Sequence, residues 1–168
     1  TAAGERGDRT QGDIGEYWTM RLQDPRHPLA HNRPDEPLAT WASNRLLGDL
    51  DGLQVLDIGS GNGRNSVWLA SQGAHVTALD IAGDLLRSYP RLQRLTTIQA
   101  DVIRDDIPPG PFDFVYDSGC FHHIPPHRRA TYIERVTPLV RQTSGLFGIA
   151  AFSSDALDIR GDEEALLA

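Results

Sequence analysis

Val55-Leu56-Asp57-Ile58-Gly59-Ser60-Gly61-Asn62-Gly63-Arg64-Asn65-Ser66 is an apolar strand ending in an acid, then glycines at alternate positions, then a segment of helical character. Glycine there permits positive φ and lets a ligand approach the backbone, and the free N–H groups at the following helix start face that ligand. The pattern predicts a cofactor loop between a strand and a helix. A dinucleotide fingerprint has apolar residues before its first glycine and a third glycine three positions after the second. Here Asp57 precedes the loop and Arg64 takes the third-glycine position. A carboxylate beside a pyrophosphate is repelled, whereas one beside ammonium and sulfonium charges is stabilised. The loop therefore favours S-adenosylmethionine over NAD.

Outward from the loop, apolar runs alternate with stretches of helical spacing, the arrangement of a parallel sheet covered on both faces. The expected strands are 54–58, 75–80, 96–101, 112–117 and 146–152, and the expected helices are 64–72, 82–92 with a kink at Pro90, and 127–141. Right-handed crossovers in that order give an α/β, Rossmann-like, doubly wound, mostly parallel sheet. Its ligand crevice lies at the carboxyl ends of strands one and four. Upstream, residues 1–13 are small, polar and charged and are expected to form a flexible tail. Residues 16–22 suit a short amphipathic helix and 25–37, with four prolines, a loop. Pro37 suits the first turn of a helix through Trp41, Leu46 and Leu47 to about Leu50. Two parts are expected: 1–50 as N-terminal tail and lid helices, and 51–168 as the cofactor-binding domain.

The Asp-x-Gly-x-Gly-x-Gly pattern from Asp57 to Gly63 resembles motif I of the class I S-adenosylmethionine-dependent methyltransferases. Gly61-Asn62-Gly63-Arg64-Asn65-Ser66 followed by Trp68-Leu69-Ala70 is similar in particular to the tellurite-resistance and thiopurine branch, whose members act on small molecules. The resemblance covers about Gln54 to Phe152. Class members continue past strand five into a helix and an antiparallel hairpin that completes the sheet. Asp162-Glu163-Glu164-Ala165-Leu166-Leu167 looks like the start of that helix, and the apolar segment 146–152 would be a bare, aggregation-prone edge. The C-terminal hairpin is thus expected to be missing from this chain or supplied by a partner chain.

Several residues are candidates for binding S-adenosylmethionine. Asp57, Gly59, Ser60, Gly61, Asn62 and Gly63 form the cradle. Asp80 closes strand two about 20 residues beyond the loop, where an acid accepts both ribose hydroxyls, unless it serves as a helix N-cap. By the resemblance, Asp101 and the Val102 N–H mark the adenine end, with Ile81 beside the ring; a turn acid and ordinary packing are the alternatives. Arg64 and Asn65 open the next helix, where the dipole favours an anion such as the methionine carboxylate; a solvated surface arginine is the alternative. The resemblance also makes Asp117 and Ser118, at the end of strand four, neighbours of the methionine part. Phe121 can wall the transfer site, and His122 or His123 can take a proton from a hydroxyl or thiol, or simply pack. Trp18, with Tyr17 and Trp41, can close over the site as a lid and substrate wall, because aromatic faces attract a sulfonium; helix packing explains them as simply.

Composition narrows the remaining classes. A chain of 168 residues fits one domain, and its net charge of −7 gives no electrostatic footprint for nucleic acid or an anionic membrane. No apolar run approaches a membrane span and no signal peptide opens the chain, so a cytoplasmic location is expected. Cys120 is the single cysteine, which rules out an internal disulfide and a multi-cysteine metal site. All 16 basic residues are arginine, so a pyridoxal-phosphate Schiff base and a Walker-type loop are excluded. Cys120, His122, His123 and His127 match no zinc spacing. Phe152-Ser153-Ser154-Asp155 lacks the Asp-Asn pair of magnesium-dependent catechol-type enzymes, and no metal is expected. Asp117-Ser118-Gly119-Cys120 does not fit the Asn/Asp-Pro-Pro-aromatic motif of DNA amino-methyltransferases. The oligomeric state is left open. The resemblance implies an enzyme transferring methyl from S-adenosylmethionine, with S-adenosylhomocysteine as product, to an O, S or N atom of a small molecule. The rivals are a noncatalytic S-adenosylmethionine-binding or scaffold module and an NAD-linked oxidoreductase.

Overall fold

The computed structural model describes residues 11–151. Five strands form one all-parallel sheet in the order β3-β2-β1-β4-β5: β1 Gln54–Ile58, β2 His75–Asp80, β3 Leu95–Gln99, β4 Phe114–Ser118 and β5 Leu146–Ala150. β1 and β4 lie at the centre and are almost wholly buried, as continuous apolar runs in a two-faced parallel sheet require. In register, Val55 stands opposite Val76 and Phe114, and Ile58 opposite Leu79 and Asp117. The carboxyl ends of β1, β2 and β4 therefore finish side by side. This is the doubly wound fold expected from the sequence.

Helices α3 (Arg64–Ser71), α4 (Gly83–Arg87), α5 (Cys120–His123) and α6 (Arg129–Val136) connect the strands. α4 is much shorter than the expected 82–92. Tyr89 turns inward onto the glycine loop and Pro90 follows, so the helix has no way to continue. The expected helix 127–141 is broken into α6 flanked by 3₁₀ turns at Pro126–Arg128 and Thr137–Leu139, because Pro138 has no N–H to donate. β4 begins two residues late, since Phe112 makes only an isolated bridge to Val140. β3 begins at Leu95 and ends at Gln99, two residues before Asp101, which is taken up in the following turn. Residue 152, the continuation to 168 and residues 1–10 of the expected tail lie outside the described residues.

The N-terminal segment is joined to the core by its own side chains. α1 (Gln11–Gln23) starts within the expected tail. α2 (Glu36–Ser43) ends well before Leu50, where Arg45 at φ 58° and Gly48 at φ 74° unwind the chain. Leu38 is fully buried in a cluster with Val55, Leu69, Phe114 and Tyr116. Trp41, half-buried, packs edge-on to Tyr116 with ring centroids 6.0 Å apart and so lies against the sheet beside this cluster. On the far edge Leu146, Phe147 and Ile149 are exposed, and β5 pairs only with β4 among the described residues. Leu38→Ala is expected to lower stability by about 2–5 kcal/mol in urea unfolding, whereas Met20→Ala, on an exposed side chain, is expected to change it by less than about 0.5 kcal/mol.

Candidate active site

Positive φ at three glycines shapes the loop between β1 and α3: 67° at Gly59, 55° at Gly61 and 80° at Gly63. Neighbouring atoms close the same positions to any side chain. A Cβ on Gly59 would lie 2.6 Å from Cys120 Cβ, one on Gly63 2.6 Å from Tyr89 Cζ, and one on Gly61 2.9 Å from Leu22 Cδ1 of α1. Hydrogen bonds then set the loop's place. Asp80 accepts the Gly61 N–H through one carboxylate oxygen and the Ala82 N–H through the other, both at 2.7 Å. The Tyr89 hydroxyl donates to the Gly61 carbonyl at 2.8 Å and lies 3.0 Å from the Ser60 hydroxyl. Asn62 donates to the Leu29 and His31 carbonyls and so ties the loop to the N-terminal segment.

The buried polar side chains of the described residues are Asp57, Ser60, Arg64, Asn65, Ser66, Asp80 and Asp117, and all of them lie in this region. Asp57 accepts the Ser66 hydroxyl at 2.5 Å, and burial pushes its pKa up to about 7. Burial also raises Asp80, against the bonds from Ala82 and Gly61. Asp117 is raised by burial too. It accepts the Tyr132 hydroxyl at 2.5 Å and the N–H groups of Cys120 and Phe121, and in that way caps α5. Arg64 is not a solvated surface charge: it is buried and pairs with Asp35, which precedes α2. Its other terminal nitrogen donates to Ser118 Oγ at 3.2 Å. Asn65 also binds Asp35, at 2.9 Å. Asp35 has no motif around it, and only its tertiary partners reveal it.

After β4 the chain turns at Gly119, with φ 90°, into the short helix α5. His122 Nε2 and His123 Nε2 are 2.9 Å apart, and Trp18 packs on the His123 ring with centroids 4.5 Å apart. Trp18, His122 and His123 are thus brought together. Phe121 lies 5.2 Å from the Tyr132 ring and under the Arg129 guanidinium, which donates to the Ile124 and His122 carbonyls. Burial lowers the pKa of His122, aided by Arg129. It lowers His123 to about 4, aided by His122, Arg21 and His27. Both rings are therefore neutral at pH 7. Burial pushes the Cys120 thiol well up, which makes it a packing residue against Gly59.

At the expected adenine end, Asp101 accepts the Ile103 N–H at 2.8 Å and lies 3.8 Å from Arg104, so its carboxylate closes its own turn. Val102 is buried and its carbonyl accepts Arg135 Nε at 2.7 Å. Ile81 is half-buried, with its carbonyl against Gly15 of α1. Among the described residues no group of three or more His, Cys, Asp or Glu side chains is placed to hold a metal ion.

Residues 55–143 match the family described as "Methyltransferase domain". The chain belongs to the class I S-adenosylmethionine-dependent methyltransferases. A ubiquinone biosynthesis O-methyltransferase of Xylella fastidiosa strain 9a5c is 39% identical to it over 110 residues, 61% of this chain and 42% of the relative. The chain thus spans less than half the length of the curated relatives it matches. Among solved structures, the Burkholderia thailandensis 1,6-didemethyltoxoflavin-N1-methyltransferase, with bound 1,6-didemethyltoxoflavin and S-adenosylhomocysteine, superposes at a TM-score of 0.66 and 25% identity. The match covers 92% of this chain and 69% of that one. DhpI, in its SAM and HEP complex, shares the fold at a TM-score of 0.65 and 22% identity, over 89% of this chain and 70% of its own.

The glycine loop is held by one carboxylate serving two backbone N–H groups. An amide there offers a single acceptor oxygen and turns an NH₂ toward a backbone N–H. Asp80→Asn is expected to cost about 1–3 kcal/mol with no ligand present, read from the urea midpoint at pH 7. An unchanged midpoint would show that these bonds do not hold the loop.

Proposed function

We propose that the protein transfers the methyl group of S-adenosylmethionine to an O, S or N atom of a small molecule. The observation that carries this reading is electrostatic. Three buried acids, Asp57, Asp80 and Asp117, surround the glycine loop, while the buried arginine beside them is paired with Asp35. Such a donor set suits a cation and disfavours a pyrophosphate. Gly59, Ser60, Gly61, Asn62 and Gly63 offer backbone to the cofactor, Asp80 and Ile81 stand at its ribose, and Asp101 and Val102 at its adenine. Asp57, Asn65, Asp117 and Ser118 surround the methionine part, with Arg64 held among them. When bound, S-adenosylmethionine supplies an electrophilic methyl on a sulfonium, leaving S-adenosylhomocysteine.

The remaining work falls to alignment, water exclusion and proton removal. Trp18 and Phe121 wall the acceptor side. The His122–His123 pair, neutral at pH 7, accepts the proton of a hydroxyl or thiol. The likeness to the tellurite-resistance and thiopurine branch rests on the segment from Gly61 to Ala70 alone. A small-molecule acceptor rather than nucleic acid agrees with the net charge of −7. No helix among the described residues is long and apolar enough to cross a membrane, and a cytoplasmic setting is part of the proposal.

Isothermal titration with S-adenosylmethionine and S-adenosylhomocysteine tests the reading, and the absence of heat with both would overturn it. Binding without turnover across a panel of thiols, phenols and amines would favour a noncatalytic binding module. The pH dependence has a defined sign. Asp57, with its pKa near 7, is largely protonated at pH 5.5 in the ligand-free protein; a bound cation favours the ionised form, so binding releases a proton. Affinity for S-adenosylmethionine is expected to rise from pH 5.5 to 7, below the range in which an α-amino group loses its own proton, and Asp57→Asn is expected to flatten the slope. For an acceptor identified in the panel as a phenol or thiol, one of His122→Gln and His123→Gln is expected to lower kcat by about 10²-fold or more while leaving cofactor affinity intact.

A further inference from the structure

Asp35 stands at the N-cap position of α2, yet its side chain makes no cap hydrogen bond there. It reaches instead to the cofactor loop and the end of β4. Its carboxylate pairs with Arg64 and accepts the Asn65 amide and the Tyr116 hydroxyl, each at 2.9 Å, while its own N–H donates to Asn65 Oδ1 at 2.9 Å. The ion pair is largely out of water, the Arg64 side chain being 6% and the Asp35 side chain 12% exposed. Burial pushes the Asp35 pKa upward, but bonds from Ser118, Arg64 and Asn65 outweigh it and hold the group below its ordinary value. Asp35 is an anion at neutral pH.

An unpaired guanidinium at Arg64 would place a full positive charge beside Asp57 and Ser118, close to where the methyl donor carries its own. We propose that Asp35 is a specificity-determining residue: by neutralising Arg64 it keeps the site selective for the cationic methyl donor over its uncharged-sulfur product. This rests on the donor being S-adenosylmethionine. The donor bears a sulfonium, an ammonium and a carboxylate, net +1, while S-adenosylhomocysteine lacks the sulfonium charge and is net zero. A change of charge at Arg64 acts on the ratio of the two affinities, whereas loosening of the N-terminal segment acts on both alike. Displacement of Asp35 by the methionine carboxylate is disfavoured, because it would leave a buried carboxylate stripped of its ionic partner.

The test is isothermal titration of each ligand, separately, against the wild type, Asp35→Asn, Arg64→Gln and the double variant, with circular dichroism confirming the fold. Asp35→Asn exposes the arginine charge and is expected to weaken S-adenosylmethionine about tenfold more than S-adenosylhomocysteine, the size of the interaction between unit charges roughly 10 Å apart at an effective dielectric of about 20. Arg64→Gln leaves the aspartate charge uncompensated and is expected to move the ratio the other way. The double variant is expected to return the ratio to its wild-type value even where both affinities have fallen. Equal losses for the two ligands in Asp35→Asn, or shifts of the same sign in the two single variants, would overturn the proposal and leave Asp35 a structural clasp. Should Asp35→Asn not fold, the sign of the Arg64→Gln shift decides alone. Wild-type protein that binds neither ligand refutes the donor assignment, and the proposal with it.

Discussion

The site depends on the two carboxylate oxygens of Asp80, each of which holds one backbone N–H. One bond fixes Gly61 and with it the crest of the glycine loop; the other fixes Ala82 and with it the entrance to α4. Because Asp80 ends β2 and β2 is in register with β1, the loop's height above the sheet follows from strand pairing. Tyr89, just beyond the end of α4, comes back to the same loop from the opposite side. α4 is short because that return requires it. Gly63 lacks a side chain for the same reason, since the Tyr89 ring fills the place where a Cβ would stand.

This bracing permits an arrangement that would otherwise be costly, several ionisable side chains buried within one small region. A buried carboxylate without partners is destabilising by several kcal/mol, yet each acid here receives specific donors. Asp57 takes the Ser66 hydroxyl, Asp80 two backbone amides, and Asp117 a tyrosine hydroxyl with the first amides of α5. What these donors leave uncompensated is net negative charge, because the buried arginine has Asp35. The raised pKa values of Asp57, Asp80 and Asp117 show the cost of that burial, and a bound cation would reduce it. The same charges that strain the ligand-free protein thus stabilise a positively charged ligand.

Local pattern was enough for the first half of the site. Strands 54–58 and 75–80 appear with the expected ends, because each apolar run is bounded by an acid or a glycine that cannot continue it. The positive φ values at Gly59, Gly61 and Gly63 follow the same logic. Side-chain partnerships were not readable, since they join residues far apart in sequence. Asp35 with Arg64, Tyr132 with Asp117 and Tyr89 with Gly61 carry no local signature. Trp41 is a further case: its aromatic character carries no sign of its partners, the Tyr116 ring and the bare backbone of Gly148. The bond from the Ile103 N–H to Asp101 is local, yet no spacing in the sequence announces it. α5 has no sequence signature, because four residues after a left-handed glycine carry too little periodicity to mark a helix.

The histidine pair is built differently from the glycine loop, because α1 takes part in it. Gly15, Trp18, Thr19 and Leu22 recur at helical spacing and form its inner stripe. Gly15 meets the Ile81 carbonyl, Leu22 rests on Gly61, and Trp18 lies on His123. One helix therefore touches the end of β2, the glycine loop and the histidine pair together. A Cβ on Gly15 would stand 3.0 Å from the Ile81 oxygen, so the bare glycine sets how close α1 comes. The same helix carries Trp18 onto the His123 ring, whose pKa burial lowers. The histidine pair is thus completed by two segments far apart in sequence, since Arg21 of α1 acts on His123 together with His122.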